Sequence, residues 1–143
     1  MNFDKLRNIY LTIRDVNNLS QKNFAQLLEN KGITPVQFGI LNNLSCDEKV
    51  TMTKLYKLVG CVPSNMTTLI KRMVRDGLVE TAKNPQDQRE TLVFLTKKGE
   101  TLRESLFDLY DSFLKQNYAG LTCEEQVTLS ALLNKLEKSL TKE

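Results

Sequence analysis

The 143 residues contain no histidine. That removes the commonest general base and the commonest neutral metal ligand. The chain also lacks a Gly-rich phosphate loop, a nucleophile elbow and an acidic metal cluster. Catalysis is therefore not expected, and neither a cofactor nor a metal is implied. Cysteine is scarce: Cys46, Cys61 and Cys123 are an odd set without a C-x-x-C pair. Such a set argues for a reducing, cytoplasmic setting rather than a disulfide scaffold. No apolar run approaches the length of a membrane span, and the N-terminal residues are too polar for a signal peptide. Internal repeats and low-complexity segments are missing too.

What is present is ordinary for a globular protein, with 41% hydrophobic and 26% charged residues. The length fits one domain spanning 1–143. The net charge of +3 says little by itself, but its distribution is uneven. Residues 51–99 hold nine Lys/Arg against four Asp/Glu, or +5, and the remainder holds eleven against thirteen, or −2. A local basic excess of this kind is the footprint of a nucleic-acid reader.

The same segment carries the clearest pattern. Met66, Leu69, Ile70, Met73 and Val74 recur at helical spacing and make one apolar stripe. Ser64, Thr68, Lys71, Arg72 and Arg75 fall on the other face, with Asn65 nearby. Pro63 suits a first helical position, and Gly77 suits a left-handed closure. A helix so divided can pack with one face and enter a major groove with the other. Before it, Thr51 caps a short helix carrying Met52, Leu55, Leu58 and Val59, which Gly60 ends. Short helix, glycine turn and second helix form a helix-turn-helix pattern. After it come two β-type runs, 78–83 and 91–95, joined by a polar turn at 84–90 that contains Asn84-Pro85. Thr96 then caps another helix. A hairpin directly after a reading helix is a wing.

Leu55, Gly60, Pro63-Ser64, Thr67, Gly77-Leu78-Val79-Glu80, Asp87-Gln88-Arg89 and Leu95-Thr96-Lys97-Lys98-Gly99 occur in an order that resembles the MarR family of winged-helix transcription regulators. The resemblance covers residues 51–99, and the helices on both sides fit it. It implies a DNA-reading set of Ser64, Asn65, Thr67, Thr68, Lys71, Arg72 and Arg75 on the helix, with Lys83, Asp87 and Arg89 on the wing. In the family's Asp-x-Arg element, the acid orients an Arg that reaches the minor groove. Three positions depart from the pattern. Val62 stands where Ser or Thr usually precedes the Pro, Thr81 where Arg is frequent, and Gln88 for another frequent Arg. The wing keeps Lys83 and Arg89 as its cations.

The flanks read as helices. Residues 2–30 carry an early stripe of Leu6, Ile9, Tyr10 and Ile13 and a later one of Phe24, Leu27 and Leu28, closed by Gly32. Thr34-Pro35-Val36-Gln37 is a helix start with a capping box, and Phe38, Leu41 and Leu44 follow on its inner side. Residues 45–50 read as a polar link. Residues 97–118 read as one helix with Leu102, Leu106, Leu109 and Phe113 inward, broken by Gly120. Thr122-Cys123-Glu124-Glu125 is a second capping box. It explains both acids without catalysis. Leu129, Leu132, Leu133, Leu136 and Leu140 line the last helix.

The expected architecture is mainly α (α+β). A winged helix-turn-helix occupies 34–99, and the helices of 1–33 and 100–143 form a dimerisation region. The terminal stripes serve either a monomer core or a dimer. The resemblance implies a homodimer paired through the first and the last two helices, bound to double-stranded DNA at a pseudopalindromic operator. It also implies repression relieved by a small lipophilic or phenolic effector, with no membrane partner. Tyr10, Arg14 and Phe38 are candidate effector contacts, and equally candidates for core or surface. Two other readings stand beside this one. A winged-helix module that binds protein would lack the basic face. A thiol-based redox regulator would use Cys61 beside the reading helix, where a helix dipole lowers a thiol pKa. Against that, small buried thiols are common. Zinc sensing is disfavoured without histidine.

Overall fold

The computed structural model describes residues 2–60 and 63–141, and of Pro63 and Ser64 the backbone only. The chain divides into two compact units, Met1–Asp108 and Leu109–Glu143.

The first unit opens with α1, Phe3–Glu29. Asn2 caps it, its Oδ1 accepting the Asp4 N–H at 2.9 Å. Phe24 and Leu28 are buried at its far end, while Leu6, Ile9 and Ile13 remain 43–53% exposed. α2, Pro35–Asn42, begins with the expected capping box. Thr34 Oγ1 accepts the Gln37 N–H at 3.2 Å, and Gln37 Oε1 accepts the Thr34 N–H at 2.9 Å. Phe38, Leu41 and Leu44 are buried as expected, and Phe38 meets Phe24 edge-to-face with ring centroids 5.1 Å apart.

Next come β1, Val50–Thr51, and α3, Met52–Val59. Thr51 caps α3 by accepting the Lys54 N–H at 3.1 Å, and Gly60 closes it at φ 72°. Leu55 is fully buried, but Leu58 is exposed. Leu58 lies about 100° around the helix from Val59, outside the packed arc. α4, Pro63–Arg75, matches its expected bounds. It buries Met66, Ile70 and Met73, while Val74, one step round from Met73, is exposed.

A three-stranded antiparallel sheet follows, in the order β1-β3-β2. β2 is Val79–Asn84 and β3 is Asp87–Leu95. The sequence reading missed β1, whose two residues pair Val50 with Val93 and Thr51 with Leu92. It also placed the start of β3 too late. Asn84 pairs with Asp87, and Asn84 Oδ1 accepts the Gln86 N–H at 3.0 Å, so the turn shrinks to Pro85-Gln86.

Thr96 caps α5, Lys97–Ser105, which is followed by α6, Phe107–Asn117. These replace the single expected helix. At Leu106 the backbone N–H is shared between the Leu102 and Arg103 carbonyls, 3.2 Å from each, and Ser105 Oγ also donates to Leu102 O at 2.7 Å. The hydroxyl competes for the carbonyl that should continue the ladder. In the second unit, α7, Cys123–Leu140, starts at a capping box of Thr122 and Glu125. Its leucines, from Leu129 to Leu140, are all exposed. Among the described residues, no helix is long and apolar enough to cross a membrane.

Candidate nucleic-acid interface

The outward face of α4 follows from how the helix is held. Leu78 N–H donates to Met73 O at 2.9 Å and Gly77 N–H to Val74 O at 3.0 Å. These are the two hydrogen bonds of a glycine C-cap, and Gly77 has φ 75°. The start of α5 then clasps that end. Thr96 Oγ1 donates to Gly77 O, Thr96 N–H to Leu78 O at 3.1 Å, and Lys98 Nζ to Asp76 O at 2.8 Å. Gly99 is buried there, and a Cβ on it would run into the Leu78 carbonyl. The helix is thus pinned to the sheet at its C-terminus and to the core by Met66, Ile70 and Met73. Its other face is presented outward.

Asn65, Thr67, Thr68, Lys71, Arg72 and Arg75 are all exposed. Arg75 Nε lies 3.3 Å from Asp76 Oδ1, an exposed pair. The Ser64 side chain, Cys61 and Val62 lie outside the described residues. On the wing, Lys83 is exposed and Asp87 half-buried. Asp87 Oδ1 accepts Arg89 Nε at 3.2 Å, and the Arg89 side chain is 92% exposed. The acid and the arginine lie on β3 rather than in a turn, at its irregular end where the register with β2 shifts between Lys83 and Asn84, and the carboxylate itself brings the two side chains together.

Helix and wing meet around one opening of about 380 Å³. Thr67 and Lys71 of α4 line it with Arg89 of the wing. Residues that the sequence reading did not assign to the site line it as well: Thr53 and Tyr56 from α3, and Thr81 and Thr91 from the hairpin. Neutral hydroxyls carry no charge signal. Their only trace in the sequence is threonine at alternate strand positions beyond the buried Val79, Val93 and Leu95.

The three effector candidates are not brought together within one chain. Phe38 is core, 5% exposed, against Phe24. Tyr10 and Arg14 lie on exposed turns of α1, roughly 15–21 Å along the axis from Phe24. Arg14 pairs with Asp15 at 2.9 Å. Among the cysteines, Cys46 is half-buried, and its Sγ lies 3.5 Å from Thr96 O. A hydrogen bond with the Glu100 side chain, and then burial, push its thiol above the ordinary range. Cys123 is exposed in the first turn of α7.

Comparison with known proteins agrees with this geometry. The MarR family model matches residues 33–91. The multiple antibiotic resistance protein MarR of Escherichia coli K12 is 32% identical over 125 residues, which is 87% of each chain. A MarR-like protein of Bacillus cereus superposes with a TM-score of 0.86 at 50% identity, covering 96% of this chain and 99% of that one. A cysteine-to-serine mutant of E. coli MarR, solved with operator DNA, gives 0.84 at 28% identity over 95% and 98%. The chain belongs to the MarR family of winged helix-turn-helix transcription regulators.

Proposed function

We propose that the chain is a dimeric repressor that binds a pseudopalindromic operator and leaves it when a small lipophilic or phenolic effector binds. One observation carries the DNA reading. The outward face of α4 and the arginine of the wing border the same opening, so one protomer can engage a major groove and the adjoining backbone together. Ser64, Asn65, Thr67, Thr68, Lys71, Arg72 and Arg75 are assigned to the helix contacts, and Lys83, Asp87 and Arg89 to the wing. Within the chain the winged helix-turn-helix is 34–99, and 1–33 with 100–143 serve dimerisation. The exposed apolar stripe of α1 and, separately, that of α7 support a homodimer. The regulator would act in the cytoplasm, where its DNA lies.

Selection from a random duplex pool tests the reading. The expected product is a motif with two related halves about one helical turn apart. Failure to retain any DNA at low salt overturns it. Sedimentation equilibrium at micromolar concentration is expected to give twice the mass of one chain, and a monomer would remove the two-half operator. Release from the selected operator by a phenolic compound tests the effector.

A further inference from the structure

The tip of the wing is closed by the turn Pro85-Gln86, between the paired Asn84 and Asp87. Asn84 holds the turn with both ends of its amide. Its Oδ1 accepts the Gln86 N–H at 3.0 Å, and its Nδ2 donates to Glu90 Oε2 at 3.0 Å. Proline at the first turn position fixes one backbone angle before any partner arrives. Behind the turn, the Asp87 carboxylate is engaged by the N–H and Nε of Arg89. The apex is thus held in one shape, and its polar side chain is Gln86, which is exposed.

The outward face of α4 and Arg89 border one opening. With α4 in a major groove, the hairpin therefore lies across one phosphodiester strand, over the adjoining minor groove. A groove about 6 Å wide does not admit a two-stranded ribbon, so only an apex reaches its floor. There, A·T and T·A pairs present acceptors alone, and a G·C pair adds the guanine N2 amino donor. A guanidinium or ammonium can only donate, and it favours the narrow, electronegative groove of A·T runs. A carboxamide both donates and accepts, so it matches the mixed edge of a G·C pair.

We infer that Gln86 is a specificity-determining residue that reads a G·C pair in the minor groove, Nε2 donating to a base acceptor and Oε1 accepting from guanine N2. The assignment rests on the DNA reading proposed above. It gives the wing a base contact separate from the charge of Arg89.

The test uses the full chain with Gln86→Ala, Gln86→Lys and, as a control, Gln88→Ala. Gln88 is exposed on β3, off the apex. All three keep the Gln86 or substituted N–H for Asn84, and melting temperature checks the fold. Binding is measured across a salt series on the selected operator, with each pair flanking the helix-read halves changed in turn between G·C and A·T. The unaltered chain should bind the G·C form about two- to tenfold more tightly at one flanking pair of each half. Gln86→Ala should lose that preference by weakening on the G·C form, while the A·T form stays within twofold. Gln86→Lys should bind both forms more tightly, with the salt slope raised by about one contact and no G·C preference. Gln88→Ala should keep the preference. No flanking preference in the unaltered chain overturns the role of Gln86 and leaves the DNA reading intact. So does an equal loss on both forms by Gln86→Ala, which would mean a phosphate contact. So does a preference that survives Gln86→Ala or vanishes in Gln88→Ala. Absence of any binding by the unaltered chain overturns both readings.

Discussion

Asp87 holds Arg89 twice. The same Oδ1 accepts the arginine's backbone N–H at 3.1 Å and its Nε at 3.2 Å. An isolated pair this exposed contributes about 0–1 kcal/mol to stability, so its geometry matters more than its energy. A guanidinium already oriented loses less entropy when it meets a phosphate or a narrow minor groove. Arg89→Ala should therefore weaken operator binding severalfold and reduce the salt slope by about one contact. Melting should hardly change. Asp87→Ala should also weaken binding, by less, although it removes a negative charge from the wing proposed to meet DNA. Tighter binding by Asp87→Ala would mean that the acid does not orient Arg89.

The helix face gives a second expectation. Thr68 and Arg72 are exposed, on the side away from the buried Met66, Ile70 and Met73. Replacing both by Ala should leave denaturant unfolding nearly unchanged. Operator affinity should fall by about 1–3 kcal/mol for each lost base contact, and random-duplex affinity by much less. Equal losses on both DNAs would reassign the pair to phosphates.

The difference between these two sites explains what the sequence could disclose. α4 carries its packing stripe and its exposed polar face within thirteen residues, so periodicity separates them. The caps at Thr34, Thr51, Thr96 and Thr122 are equally local, each settled by a side chain and an N–H three residues on. β1 could not be read this way. Two residues have no period, and Val50–Thr51 becomes a strand only because Val93 and Leu92 lie beside it. The opening between helix and wing escaped for the same reason, since Thr53 and Tyr56 of α3 and Thr91 of β3 come together only in the fold. Leu58 and Val74 show the opposite error. Each is apolar and near the right spacing, yet each falls just outside a narrow buried arc.

Cys46 supplies a third expectation, about redox sensing. Its thiol is held above the ordinary range, first by the hydrogen bond with Glu100 and then by burial. The thiolate is the reactive form, so the upward shift leaves less of it at neutral pH. Alkylation of Cys46 by iodoacetamide at pH 7.5 (an ordinary assay condition, about a unit below a free thiol's pKa) should be slower than that of a free cysteine. It should accelerate as pH rises past the ordinary thiol range. Glu100→Gln removes the charged acceptor and should speed the reaction. A fast-reacting Cys46 in the unaltered chain would contradict the upward shift and point to a thiol switch at this position, apart from the one the sequence suggested at Cys61.

The last expectation concerns the clasp behind the reading helix. Thr96 Oγ1 makes two bonds, donating to Gly77 O and accepting the Gly99 N–H at 3.0 Å. One hydroxyl therefore caps α5 and ties down the end of α4. Gly99 permits the close approach, because the Leu78 carbonyl occupies the space a side chain would need. Gly99→Ala must push α5 away from the α4 end and should destabilise the fold by about 1–3 kcal/mol, the usual range for overpacking. Thr96→Ser keeps the hydroxyl and should be nearly neutral. Thr96→Val keeps the shape but leaves the Gly99 N–H and the Gly77 carbonyl without that partner, and should cost about 1–3 kcal/mol. Denaturant titration separates these outcomes. Operator binding then shows whether the clasp also sets the helix position. If it does, the folded fraction of Thr96→Val should bind more weakly than that of Thr96→Ser at equal active concentration. Equal binding by the two would confine Thr96 to stability.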